Sequence, residues 1–122
     1  RFAGVHELPG MTPNSIRTIE ALRAELARTR ARGIAWDNCE SNPDVRCVAA
    51  PIYDHRGRMV AAMSISFPVV RDTPERFREL SRLVQEGARE LSERLGYRVP
   101  YPDSREPELP PWHRERSAVT ER

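Results

Sequence analysis

The sequence predicts an α/β (α+β) fold in which helices pack on an antiparallel sheet. Two observations support this prediction. Helical apolar spacing occurs over about residues 19–32 and again over about residues 74–95. Strand-like segments lie between them, and two of these are joined by the tetrapeptide 54–57, which is typical of a hairpin turn. The length of 122 residues accommodates one ordinary domain.

The first helix is expected over residues 19–32. Thr18 is a favourable N-cap, and apolar residues recur at the spacing of one helix face in Ile19, Leu22 and Leu26. Arginines fill the last turns, where positive charge suits the helix dipole. Gly33 is the expected end of the helix.

Three strands are expected in the middle of the chain. The short apolar run 34–36 predicts the first, and residues 45–53 and 58–67 predict the second and third. Asp54 and Gly57 stand at the ends of the connecting tetrapeptide, as a hairpin with a two-residue turn requires. The second and third strands are therefore expected to be antiparallel neighbours.

The second helix is expected over about residues 74–95. Thr73 supplies a capping hydroxyl, and Pro74 suits the first helical position. The apolar stripe is narrow and the rest of the surface is arginine and glutamate, which predicts a helix lying on a sheet face. Gly96 is the expected end.

The composition changes after the second helix, which divides the chain into residues 1–97 and 98–122. The C-terminal segment carries five prolines with five basic and five acidic residues, and few large apolar groups. This composition predicts an extended or disordered tail without a core of its own. Trp112 is the exception, and could dock on the domain or on a neighbouring molecule.

Composition and charge exclude several classes of protein. The net charge is +2, and the 20 basic and 18 acidic residues are interleaved rather than gathered on one stripe. Direct DNA binding by this chain is therefore not expected. No apolar run approaches the ~18 residues of a membrane span, so a membrane protein is not expected. The expected location is the cytoplasm.

Neither a metal site nor an active site is expected. The histidines and cysteines are scattered, at His6, His55, His113, Cys39 and Cys47. None of the usual spacings for metal ligands occurs, and no cofactor motif is present. A small hydrolase using Ser64 or Cys47 would need a positioned base, which the sequence lacks. The chain is therefore predicted not to be an enzyme.

The hairpin contains the candidate binding residues. A two-residue turn at 55–56 would place Cys47 directly opposite Ser64, with Ser66 next on the same face. Bulky residues occupy the other face, which is the expected core. Small polar side chains could thus line a concavity that offers hydrogen bonds to a small ligand. The alternative is that they are small residues beneath a packed helix, bonded to the backbone.

Several segments together resemble a known family. They are residues 12–16, 33–37, 45–54, 61–68 and 95–97, and they include an Arg-Cys-Val-Ala-Ala-Pro block followed at a fixed distance by Ser-Ile-Ser. Over about residues 12–97 the chain resembles the C-terminal effector-binding domain of IclR-type bacterial transcription regulators. It is most similar to the KdgR-like branch, which responds to a sugar-derived 2-keto acid.

The resemblance implies a GAF-like domain with a pocket on its sheet for carboxylic, keto-acid or aromatic effectors. The pocket residues of the family fall on Asp37, Cys47, Ser64 and Ser66. The family domain is about twice as long as the matched stretch, so its N-terminal part is not represented here. The winged helix-turn-helix that binds DNA is not represented either.

The predicted function is therefore ligand sensing within an IclR-type regulator. The domain would bind a small keto or sugar acid and control DNA binding by the full-length protein, without a cofactor or metal. A homodimer or homotetramer is expected, with DNA bound only through the helix-turn-helix domain. The alternative is an oligomerisation or interaction module that has no ligand of its own.

Overall fold

The computed structural model describes residues 7–101 and 106–114. Along them the chain forms helices and strands in the predicted order: α1 (Ile19–Arg32), β1 (Ala35–Asn38), β2 (Val45–Tyr53), β3 (Met59–Pro68) and α2 (Pro74–Arg94). A 3₁₀ turn at Val69–Arg71, which the sequence did not predict, joins β3 to α2. His6 lies outside the described residues.

The helix α1 has the predicted bounds and caps. The Thr18 hydroxyl accepts a hydrogen bond from the Ala21 N–H, and Gly33 ends the helix with a φ of 79°. None of the residues of α1 is buried. The guanidinium of Arg32 lies 3.6 Å from the centre of the Trp36 ring, which links the end of α1 to the first strand.

The strand β2 is the centre of a three-stranded antiparallel sheet with the order β1-β2-β3. Its residues Val48, Ala50 and Ile52 are buried and alternate with less buried neighbours, as expected for a strand with one core face. The core on this face is completed by Ile34, Phe67, Phe77, Val84 and Ala88. The helix α2 therefore packs on one face of the sheet, as predicted.

The helix α2 is fixed to the sheet by a hydrogen bond as well as by apolar contacts. The Ser92 hydroxyl donates to the Ala88 carbonyl oxygen at 2.7 Å and accepts from the Tyr53 N–H at 3.0 Å. Ser92 is fully buried. This serine therefore ties the last turn of α2 to the end of β2 and satisfies a backbone donor that would otherwise be unpaired.

The hairpin turn is one residue longer than predicted. The Asp54 N–H donates to the Arg58 carbonyl oxygen at 2.9 Å, so the loop contains residues 55–57 rather than residues 55–56. Gly57 adopts a φ of 75°, which is the left-handed position of a three-residue loop. The Asp54 carboxylate accepts from the Arg56 and Arg58 N–H groups, and these bonds stabilise the longer turn.

A bulge in β3 shifts the register by one further residue. Tyr53 pairs with Met59, whereas Ile52 pairs with Ala61, so Val60 has no partner across the ladder. The prediction that Cys47 lies opposite Ser64 is therefore wrong: Cys47 pairs with Ser66. A shift of one residue would have reversed the faces of β3, but a shift of two restores them.

The prediction that residues 98–122 form an extended or disordered tail does not hold for residues 111–114, whereas residues 106–110 have no regular secondary structure. Residues 111–114 form a helical turn, and Pro110 and His113 are buried. The Trp112 ring packs edge-on against the Phe77 ring, with the ring centres 5.9 Å apart. This part of the C-terminal segment therefore contributes aromatic side chains to the core. Residues 102–105 and 115–122 lie outside the described residues, and the predicted boundary at residue 97 stays a prediction.

Two features are absent from the part of the chain that the structure describes. Neither α1 nor α2 combines the length and apolar character that a membrane-crossing helix needs. Residues 7–101 and 106–114 also contain no group of three or more histidine, cysteine, aspartate or glutamate side chains that could hold a metal ion.

The observed register can be tested by cross-linking. We expect Ser66→Cys to form a disulfide with Cys47 under mild oxidation, because the Cys47 sulfur lies 3.2 Å from the Ser66 hydroxyl oxygen. Ser64→Cys is the matched control and should remain reduced, since Ser64 pairs with Ala49. Mass spectrometry of the oxidised variants distinguishes them, and preferential cross-linking of the Ser64→Cys variant would contradict the register.

Candidate functional site

Three of the predicted binding residues form a ladder across the sheet. Asp37 in β1 pairs with Cys47 in β2, and Cys47 pairs with Ser66 in β3. Ser64 lies two residues from Ser66 on the same face, opposite Ala49. All four predicted side chains therefore share one sheet face, although the cross-strand partner of Cys47 differs from the prediction.

This site face is the one that α2 does not cover. Ser64 and Ser66 are exposed, whereas Asp37 and Cys47 are half-buried. The alternative in which the serines are small residues beneath a packed helix does not hold for the described residues, because α2 packs on the opposite face. The hydroxyls are thus accessible to a ligand.

The carboxylate of Asp37 is oriented by the connection that follows β1. One of its oxygens accepts a hydrogen bond from the Glu40 N–H at 2.9 Å. That connection is in turn held by the N-terminal segment, since Thr12 donates to the Cys39 carbonyl oxygen at 2.6 Å and Ser15 donates to that of Glu40. Thr12 and Ser15 belong to one of the segments that carried the family resemblance, and the structure shows that they position the loop next to Asp37.

The chemistry of Cys47 is that of a hydrogen-bonding thiol. Partial burial raises the pKa of Cys47, the Ser66 hydroxyl lowers it, and the carboxylates of Asp37 and Glu40 raise it further. The thiol therefore stays protonated at neutral pH, whereas a nucleophilic cysteine needs a depressed pKa. His55 is exposed in the hairpin turn, at the far end of β2 from Cys47.

Glu40 is a second carboxylate near the site that the sequence analysis missed. It accepts from the Asn38 N–H at 2.9 Å. Burial raises the pKa of Glu40 despite that hydrogen bond, and the negative charge of Asp37 adds to the increase. The only sequence signal was an acidic residue three positions after Asp37. Negative charge is therefore concentrated at the β1 side of the site, and the hydroxyl groups lie at the β3 side.

An open groove lies away from the site face. This groove of about 850 Å³ separates α1 and β1 from the C-terminal segment, and Trp36 and Trp112 are among its lining residues. Its charges are largely paired, because Glu25 forms ion pairs with Arg28 and Arg32. The site face is an uncovered sheet surface in the described residues, so it forms no enclosed cavity of its own. The ladder, and not this groove, brings the predicted residues together.

Comparison with protein families gives one assignment. The family model described as "Bacterial transcriptional regulator IclR C-terminal" matches residues 3–93. The HTH-type transcriptional regulator KdgR of Escherichia coli is 37% identical over 86 residues, which is 70% of this chain and 33% of that protein. The HTH-type transcriptional regulator BhcR of Paracoccus denitrificans is 47% identical over 72 residues, which is 59% of this chain and 26% of that protein.

Comparison with solved structures confirms the fold. The crystal structure of the C-terminal domain of E. coli KdgR superposes with a TM-score of 0.72 at 35% identity, covering 79% of this chain and 58% of that one. The fold is therefore GAF-like, as predicted. This chain spans about a quarter to a third of the length of the full-length relatives.

A pH experiment tests the environment of Glu40. Its pKa is above the ordinary value near 4.5, so ionisation costs more in the folded than in the unfolded chain. Glu40→Gln keeps an acceptor for the Asn38 N–H but removes the charge. We expect the variant to be the more stable protein at pH 7, with the difference disappearing below pH 4, where the parent is protonated in both states.

Urea unfolding of the parent and the variant at a series of pH values measures this difference. Glu90→Gln is the control, because Glu90 is exposed on α2 and pairs only with Arg94 among the contacts of the described residues. A gain in stability that persists unchanged at low pH would show that the carboxylate charge is not its cause.

Proposed function

The chain belongs to the IclR family of bacterial transcriptional regulators, within the C-terminal regulatory domain, and we propose on that premise that it binds a small organic acid. In this proposal the acid is a keto or sugar acid, and its binding controls DNA binding by the complete regulator. DNA would be contacted by a helix-turn-helix domain, and the complete regulator would be a cytoplasmic homodimer or homotetramer.

The ladder of Asp37, Cys47 and Ser66 is the observation that carries the proposal. It places a carboxylate, a protonated thiol and a hydroxyl on three adjacent strands, with the Ser64 hydroxyl beside them. These groups are accessible, and they offer both donors and acceptors. A few placed polar groups on an otherwise apolar surface are typical of small-molecule sites.

The distribution of charge supports one orientation of the ligand. Asp37 and Glu40 would repel a ligand carboxylate at the β1 side of the site. Hydroxyl donors lie at the β3 side, on Ser64 and Ser66. We therefore place the ligand carboxylate over β3 and a hydroxyl group near Asp37, which accepts its hydrogen bond.

Control of DNA binding would follow from differential affinity. A ligand shifts an equilibrium between two arrangements of a regulator only if it binds one of them more tightly. The site lies across three strands, so a change in their spacing would alter the distance between the Asp37 and Ser66 groups. An acid that bridges them would favour the arrangement in which that distance fits.

A second candidate function is an interaction module without a ligand. The outer edge of β3 has no partner strand among the described residues, and Met59 and Val60 beside the bulge are 61% and 55% exposed. An open strand edge with apolar neighbours is a surface for pairing with another chain. A thermal-shift screen of small acids separates the two functions, since only the sensor is stabilised by a ligand.

The double variant Ser64→Ala with Ser66→Ala tests the binding role of the hydroxyls. It removes two hydrogen-bonding groups worth ~0.5–1.5 kcal/mol each, so affinity for the acid selected by the screen should fall roughly tenfold to a hundredfold. Stability should change little because both positions stay small. Isothermal titration calorimetry on the complete regulator measures the affinity.

Ser41→Ala serves as the control for that experiment, because Ser41 is exposed in the connection between β1 and β2 and lies off the sheet. Equal binding by the parent and the double variant would show that the site is elsewhere and that the four residues are wrongly assigned.

The isolated chain is expected not to bind DNA specifically. Its charges are interleaved and its net charge is only +2, so it lacks the one-signed surface that attracts a phosphate backbone. A gel-shift experiment at physiological salt should show no sequence-dependent complex. Nanomolar binding that distinguishes one DNA sequence from another would contradict this expectation.

A further inference from the structure

The C-terminal segment is held by a buried carboxylate. The Asp72 side chain is fully buried, and its two oxygens have three donors: Arg46 Nη1 at 2.8 Å, Trp112 Nε1 at 3.1 Å and His113 Nε2 at 2.8 Å. A carboxylate only accepts, so His113 carries a proton on Nε2. We call residues 106–114 the strap.

Aromatic packing completes the docking surface of the strap, which consists of Asp72, Trp36 and Phe77. The Trp112 ring meets Trp36 and Phe77 edge-on, with ring centres 5.9 Å apart in both cases. The His113 ring lies 5.5 Å from that of Phe77 and is 1% exposed. The strap thus docks through specific hydrogen bonds at the centre of an apolar contact, an arrangement that favours a single docked position.

The docking surface of the strap lies on the sheet face opposite the candidate site. Arg46, which donates to Asp72, also donates from Nε to the Asn38 side chain at 3.0 Å. Asn38 and Arg46 are cross-strand partners, and they are the next pair after Asp37 and Cys47. Because side chains alternate along a strand, the pair Asn38 and Arg46 and the candidate site occupy opposite faces of the same two strands.

The segment also contacts the other end of β2. The Tyr101 hydroxyl donates to the Pro51 carbonyl oxygen at 2.5 Å. Burial raises the pKa of Tyr101, as do the neighbouring Tyr53 and Tyr97, so the phenol stays a donor. The strand that carries Cys47 is therefore held near both ends by residues beyond position 93, where the family match stops.

We propose that the strap is a positioning element for the candidate site: docking of Trp112 and His113 on Asp72 fixes Arg46, and Arg46 fixes the pairing of β1 with β2. Release of the strap then loosens the pair Asp37 and Cys47. The part of this proposal that concerns ligand affinity rests on the proposed function. Coupling is reciprocal, so a ligand that tightens β1 on β2 also favours the docked strap.

Hydrogen exchange and thiol labelling test the proposal without a ligand. The variant Trp112→Phe with His113→Ala keeps an aromatic ring but removes two of the three donors to Asp72. In the whole chain we expect exchange of the amides of residues 36–38 and 45–48, and alkylation of Cys47, to become at least roughly tenfold faster. Roughly tenfold is the lower bound expected for losing even one hydrogen bond to a charged group, and this variant loses two. Arg114→Ala is the control, because Arg114 lies on the strap but pairs at its surface with Glu108.

The amides of the second half of α2 distinguish local release from general unfolding, because they should keep the protection of the parent. If the double variant does not fold, Trp112→Phe alone removes a single donor and should produce a smaller increase at the same amides. Faster exchange confined to residues 106–114, with β1, β2 and Cys47 unchanged, would overturn the proposal.

Calorimetry with pyruvate, the simplest stable 2-keto acid, tests the ligand half in the complete regulator. We expect the double strap variant to bind several-fold more weakly than the parent. If the serine variant loses binding and the strap variant keeps full affinity, the coupling is wrong and the proposed function stands. If the parent binds no acid, the proposed function fails, and the exchange experiment still decides whether the strap holds β1 on β2.

Discussion

The pairing of β2 with β3 determines which side chains lie on the candidate site face and which face the core. Phe67 and Val48 enter the core only if Ser66 and Cys47 point the other way, because neighbouring residues on a strand alternate between faces. An odd shift of register would bury the serines and expose Phe67. The fold therefore requires an even shift, and the extra loop residue must be compensated by the bulge at Val60.

The sequence predicted the helices and the site face well, because their signals are local. Thr18 and Gly33 define the ends of α1, and Thr73 defines the start of α2. The register was mispredicted for two reasons. Asp54 and Gly57 are compatible with either a two-residue or a three-residue loop, and nothing in the sequence around Val60 indicates a bulge. Docking of Trp112 on the domain was one of the two outcomes that the sequence left open. Its hydrogen-bonded partners were missed because Asp72 and His113 are 41 positions apart, and their contact depends on the tertiary fold.

The charges around the candidate site determine which kinds of ligand group would be accepted at each end of the ladder. Two carboxylates on one side, Asp37 and Glu40, the latter with a raised pKa, disfavour a further anion nearby. The protonated thiol of Cys47 lies between them and the Ser66 hydroxyl, so the polarity changes from acceptor to donor across three strands. A dicarboxylic acid would place one carboxylate against Asp37, whereas a keto or hydroxy acid would not. Under the proposed function, the ladder therefore favours ligands with a single carboxylate and a neutral oxygen group at a distance from it.

The strand β2 is contacted from both faces, and this affects how substitutions there should be interpreted. Cys47 belongs to the solvent face, and its neighbour Arg46 connects Asn38, Asp72 and the strap on the reverse face. Removing the Arg46 side chain would leave the buried Asp72 with only Trp112 and His113 as donors, and a buried carboxylate that loses its cation is strongly destabilising. Under the proposed function, such a variant would lose ligand affinity although Arg46 lies on the face opposite the candidate site. Loss of function at position 46 is thus evidence for a binding contact only if the pairing of β1 with β2 is shown to be intact.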